Sequence, residues 1–112
     1  MELEKTTLEN GVQKVSLSGR MDVDGSLKVD GAFNEIAKAS KNVLVDMSEV
    51  SFLASLGIRT LITAAKTVSN NGGKLVLLSP QPNVERVLRE SRIDTVLPII
   101  EDSAAIDRVF VS

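Results

Sequence analysis

The sequence predicts an α/β fold: a mixed, mainly parallel β-sheet with an N-terminal β-hairpin and about four α-helices. Three observations predict it. Asn10-Gly11 separates two strand-like runs, apolar runs of strand length occur at 43–45 and 74–78, and segments of helical period lie between and after them. Strands alternating with helices are joined by right-handed crossovers, which make their neighbours parallel. At 112 residues the chain is expected to form one domain, and with no Trp or Tyr and three Phe its core is aliphatic.

Taken in order, residues 3–9 and 12–18 flank Asn10-Gly11, where both residues tolerate positive φ, so a tight hairpin is expected. Gly19-Arg20-Met21-Asp22 leads out of the sheet. A first helix is predicted over 24–41, with Val29, Phe33, Ile36 and Ala37 on one side and Asp24 or Ser26 as its cap. Val43-Leu44-Val45 reads as a strand that ends in Asp46 and passes through a short polar turn. A second helix then begins at Ser55 and stops at Asn70-Asn71-Gly72-Gly73. Its apolar residues Ile58, Leu61, Ile62, Ala65 and Val68 recur at three- and four-residue intervals, while Arg59, Thr63, Lys66 and Asn70 fall on the opposite side. Lys74-Leu75-Val76-Leu77-Leu78 is a continuous apolar run, as in a strand buried on both faces. Pro82 suits the first position of a third helix through Ser91, with Val84, Val87 and Leu88 inward and Glu85, Arg86, Arg89 and Glu90 outward. Val96-Leu97-Pro98-Ile99-Ile100 is a short last strand that its proline confines to an edge. A closing helix from about residue 102 or 103 to 110 buries Ile106, Val109 and Phe110.

Composition excludes several functions. A formal net charge of -2 without a basic run argues against nucleic acid. With no Cys there are no disulfides and no thiolate chemistry, and with no His the commonest general base and metal ligand is missing. Asp46, Glu49 and Ser55 share one edge, but no His, Cys or Ser-Lys pair activates the serine, so no catalytic residue, metal or cofactor is expected. Met1-Glu2-Leu3-Glu4-Lys5 has neither a signal-peptide core nor a membrane span, which points to the cytoplasm and away from the membrane. Asp46, ending a strand, is a candidate phosphoacceptor, though hydrogen bonding to the following turn accounts for it more simply. Asn71-Gly72-Gly73-Lys74 lacks the glycine spacing of a phosphate loop and fits a helix C-cap turn.

Ser55 stands where a coil becomes a helix. Its hydroxyl can cap the helix by accepting from a free amide of the first turn, or it can carry a phosphate beside those amides and the positive end of the helix dipole. Gly57 leaves the backbone there uncovered.

The run Asp46-Met47-Ser48-Glu49-Val50-Ser51-Phe52-Leu53-Ala54-Ser55-Leu56-Gly57-Ile58 resembles the signature of the STAS domain family, in particular the small single-domain bacterial anti-sigma factor antagonists. In that family a strand ending in Asp leads through a hydrophobic turn to an Asp-Ser-Ser/Ala-Gly-Leu type segment that opens a helix. Weaker matches at Gly19-Arg20-Met21-Asp22, Gly73-Lys74-Leu75-Val76-Leu77 and Val87-Leu88-Arg89-Glu90-Ser91-Arg92-Ile93 extend the resemblance over nearly the whole chain. The resemblance implies that Ser55 is phosphorylated by an anti-sigma factor with serine kinase activity, that a serine phosphatase restores it, and that the unphosphorylated form binds the anti-sigma factor and frees a sigma factor. Ser55 matches the family's serine, Gly57 its glycine and Asp46 its strand-end Asp, whereas Ala54 stands where the family has Asp. Loss of that carboxylate bears on phosphorylation more than on binding. The expected docking face comprises Asp22, Ala54, Ser55, Leu56, Gly57, Arg59, Thr63 and Lys66. Two alternatives remain: a module that binds nucleotide or another small ligand, and a scaffold within a signalling complex without a phosphoswitch.

Overall fold

Backbone chemistry sets the first turn. The computed structural model describes residues 1–110, in which β1 (Glu2–Thr7) and β2 (Gln13–Met21) pair antiparallel from Glu2↔Ser18 to Thr7↔Gln13. The connection is wider than the expected two-residue hairpin. Leu8 N–H donates to the Val12 carbonyl, the Asn10 carboxamide oxygen accepts from Val12 N–H at 3.1 Å, and Gly11 takes φ +85°. Asn and Gly thus do the work assigned to them, with Asn10 acting through its side chain.

The first helix, α1 (Val23–Ala39), starts earlier than expected and is capped by neither Asp24 nor Ser26. Asp22 caps it, its Oδ1 accepting from Gly25 N–H at 2.8 Å. The next strand, β3 (Asn42–Leu53), also corrects the sequence reading, because it runs for 12 residues straight through the expected polar turn. It is followed by α2 (Ser55–Asn70), β4 (Lys74–Leu78) and α3 (Pro82–Glu90). The final strand, β5, is only Ile99–Ile100: Arg92 adopts φ +59° and residues 93–95 wind into a 3-10 turn, which leaves Val96 exposed. Pro98 has no N–H to give, and its carbonyl accepts from Leu77 N–H. The expected C-terminal helix is a 3-10 turn over Ser103–Ala105 and one turn of α-helix, α4 (Ile106–Val109).

The sheet order is β1-β2-β3-β4-β5, with every pair after the first parallel. Each crossover steps one place in the same direction, so connections of one hand place α1, α2 and α3 on one face. Val29, Phe33, Leu61, Val68, Val84 and Leu88 from those helices accordingly form one buried cluster with Val15, Val43, Val45, Leu75 and Leu77. Intervening strand residues Leu44, Val76 and Leu78 point the other way and pack with Val12, Ile106, Val109 and Phe110. The apolar runs at 43–45 and 75–78 are continuous because both sheet faces are covered. Each fully buried Val, Leu or Phe contributes about 1.5–3 kcal/mol.

Two contacts join the chain after α2 to the end of α1 and the residues that follow it. Asn71 Nδ2 donates to the carbonyls of Ala37 at 3.0 Å and Ser40 at 2.9 Å, satisfying groups left open at the end of α1. A Cβ on Gly73 would fall 1.3 Å from the Lys41 carbonyl oxygen, so only glycine fits where the chain enters β4.

Candidate functional site

The approach to Ser55 is built by two bulges. β3 outruns β4, whose last pairing is Asp46↔Leu78, and continues alongside β2 alone. Pairing passes from Ser16↔Asp46 to Ser18↔Glu49 and from Gly19↔Val50 to Arg20↔Phe52, so β3 carries one extra residue at each step. Asp46 pins the first bulge: its Oδ1 accepts from Ser48 N–H at 3.0 Å and Ser48 Oγ–H at 2.7 Å, and its Oδ2 lies 3.7 Å from Lys14 Nζ. The structure places it mid-strand rather than at a strand end, engaged in structural bonds. Bulging also frees carbonyls that the ladder no longer uses. Gln81 Nε2 donates to the Ser48 carbonyl at 2.8 Å and Asn83 Nδ2 to that of Ser51 at 2.9 Å, so the start of α3 holds the far end of β3.

That end delivers Ser55 to the tip of β2, where Ala54 N–H donates to the Met21 carbonyl at 3.0 Å. Ser55 is not the N-cap: Ala54 occupies that position, and Ser55 is the first residue of α2. With Ala54 as cap, no side chain accepts from the first-turn amides. Ser55 is exposed, and its hydroxyl bonds to no other described residue. Gly57, by contrast, is buried: a Cβ there would lie 2.8 Å from Leu53 Cδ1 and from Met21 Cγ. Its role is close packing of α2 on the end of β2, not uncovered backbone.

Asp22 lies at the same edge. Arg20 Nε is 3.6 Å from its Oδ2, and the Arg20 guanidinium stacks over the Phe52 ring at 4.4 Å from the centroid. The Gly25 amide above all, with help from Arg20, holds the Asp22 carboxyl below its ordinary value. Arg59, Thr63 and Lys66 are exposed along α2, and Leu56 is half-buried beside Leu27 in the groove between α1 and α2. Seven of the eight expected docking residues therefore reach the surface at least in part, and Gly57 does not.

Three apolar residues near this edge escaped the sequence reading: Val23, Leu27 and Phe52 are 56%, 64% and 37% exposed. The signal was present for two of them. Once α1 is started at Val23, Val23 and Leu27 fall off the face defined by Val29, Phe33 and Ala37. Among the described residues no helix is long and apolar enough to cross a membrane.

A relative from Thermotoga neapolitana, provisionally named an anti-sigma factor antagonist, is 32% identical over 73 residues, which is 64% of this chain and 65% of that protein; the match spans slightly less than two thirds of it. An anti-sigma factor antagonist (STAS) domain protein from Planctomyces limnophilus superposes with TM-score 0.85 at 22% identity, covering 98% of each chain. The Bacillus anti-sigma factor antagonist SpoIIAA superposes at 18% identity in both its unphosphorylated and phosphorylated forms. Their TM-scores are 0.79 and 0.72, over 99% and 96% of this chain and 100% and 99% of SpoIIAA. The STAS domain model matches residues 5–106. On that match, and on a five-stranded sheet with one antiparallel pair, this chain belongs to the STAS domain family.

Proposed function

We propose that this chain is an anti-sigma factor antagonist. Its edge around Ser55 captures an anti-sigma factor of serine-kinase type and thereby frees a sigma factor, and phosphorylation of Ser55 ends the capture. The observation that carries this reading is an exposed hydroxyl at the first residue of α2, with exposed Phe52, Val23 and Leu27 on the same edge and a line of Arg59, Thr63 and Lys66 beyond it. Exposed apolar side chains gathered at one edge are what a protein interface uses. The likeness to SpoIIAA, known in both phosphorylation states, supports the same reading.

Charge supplies the switch. Transfer of the ATP γ-phosphoryl to Ser55 Oγ releases ADP and adds roughly -1.5 to -2 units of charge at pH 7. Covered by a partner without a matching cation, that group costs several kcal/mol to desolvate, and each ~1.4 kcal/mol is about tenfold in affinity. The fold is undisturbed, because an anion at the uncapped start of α2 sits beside open amides and the positive end of the helix. A serine phosphatase resets the system, and the protein works in the cytoplasm as a binding partner, not an enzyme.

Calorimetry of wild type, Ser55→Ala and Ser55→Asp against anti-sigma kinases from the same genome tests this. Wild type and Ser55→Ala are expected to bind alike and Ser55→Asp about 100-fold more weakly, a difference of about 2.7 kcal/mol. Equal affinity of all three ends the switch, and no binding by any of them ends the capture.

A further inference from the structure

Beyond Ser55, the groove between α1 and α2 holds a carboxylate, Asp30, that partner capture does not use. It offers about 260 Å³, slightly below the range usual for drug-sized ligands. Leu27 and Leu56 form apolar walls, and the two helices contribute opposite charges: Asp30 from α1 and Arg59 from α2. Neither is in an ion pair among the described residues.

The carboxylate of Asp30 is poorly satisfied. Asn34 Nδ2 lies 3.4 Å from its Oδ2, and Thr60 Oγ1 lies 3.5 Å from its Oδ1. Thr60 has a single hydroxyl proton, and its shorter bond, 3.1 Å, goes to the Leu56 carbonyl. Asp30 therefore faces the groove with acceptor capacity to spare. A second polar group is stranded in the same lining: Ser26 is fully buried and its Oγ has no hydrogen-bond partner. Buried hydroxyls are rarely left so, because an unmet hydrogen bond there is costly.

We propose that this groove binds a small zwitterion of the α-amino acid class. Its ammonium meets Asp30, its carboxylate meets the planar fork of Arg59, and its aliphatic part lies against Leu27 and Leu56. The size of the groove and the presence of Asp30 both weigh against a nucleotide, whose phosphates the carboxylate repels. This site does not depend on Ser55 or on its phosphorylation. It does share Leu27, Leu56, Arg59 and Thr63 with the capture edge, so an occupant is placed to alter that face.

The test is an amide-resolved NMR titration of the full chain with each of the proteinogenic L-α-amino acids, up to about 10 mM, a range that covers weak specific binding. Butylamine and valerate serve as probes carrying one charge each. At least one amino acid is expected to give saturable shifts at the Asn34, Thr60 and Thr63 amides, with both single-charge probes at least tenfold weaker. Asp30→Asn and Arg59→Gln, which alter partly or fully exposed side chains, are each expected to weaken the binding at least tenfold. The proposal is overturned by no saturable shift with any amino acid, by equal binding of either single-charge probe, or by unchanged affinity in either variant.

Discussion

The starts of α1 and α2 meet at the tip of β2, yet they are finished differently. α1 is closed: Asp22 accepts from Gly25 N–H, and Gly25 lies against the backbone of Arg20. α2 is open: Ala54 holds the cap position without a side-chain acceptor, and Ser55 projects from the first turn. A helix start that serves only the fold satisfies its amides internally, whereas one left unfinished keeps them available to an incoming anion at some cost in stability.

The largest effect separates the two glycines. A Cβ at position 25 would sit 2.0 Å from the Arg20 carbonyl oxygen, so Gly25→Ala must move backbone and is expected to lose about 3 kcal/mol or more. A Cβ at position 57 meets mainly the side-chain ends of Leu53 and Met21, with the Met21 carbonyl oxygen at 3.1 Å, so Gly57→Ala should lose about 1–3 kcal/mol. Urea denaturation of the two variants measures both, and equal losses would erase the distinction between a backbone-locked start and one packed on side chains.

A smaller effect is pH-dependent. The Asp22 carboxyl is held below its ordinary value of 3.8 in the folded state, so the unfolded chain binds its proton more readily. Its contribution is therefore present above its ordinary value of 3.8 and is lost as pH falls below that through the lower value of the folded state. Asp22→Asn keeps a cap but removes the charge, so Tm is expected to fall slightly near neutrality, to converge with wild type in acid, and to show a flatter acid limb. An unaltered acid limb would show that Asp22 caps α1 without contributing charge.

The smallest effect finishes the unfinished end. Ala54→Asp supplies the missing acceptor and should stabilise the protein by about 0.5–1 kcal/mol in denaturant titrations. It should also raise the rate at which an anti-sigma kinase labels Ser55, if the carboxylate orients the hydroxyl. No gain in stability would mean that the amides of α2 are already satisfied.

Much of the fold was legible because periodicity is a local property. The repeat of Leu61, Ala65 and Val68 with Arg59, Thr63 and Lys66 opposite announced both faces of α2, and the apolar run at 75–78 announced a strand covered on both sides. What local pattern missed were bonds between distant residues. The segment after Val45 has a turn-like pattern because Asp46, Ser48 and Glu49 are polar, yet it stays extended: Asp46 stabilises the bulge, and Gln81 and Asn83 donate to the carbonyls of Ser48 and Ser51. Ser55 was recognised, but its displacement from cap to first helical residue was not, since one residue of register depends on where β3 ends. The exposure of Val23 and Leu27 follows from a helix that begins at Val23, which only the Asp22 cap places there.

By itself the sequence determined the alternation of strands and helices, the aliphatic core and the serine to examine, because each follows from the spacing of side chains along a few turns of chain. Only the tertiary structure decided that Gly57 is buried against Met21, that Asp46 sits mid-strand beside Lys14, and that Asp30 and Arg59 face one groove from different helices. Those are distances between residues remote in sequence, and they exist only once the sheet has brought the helices together.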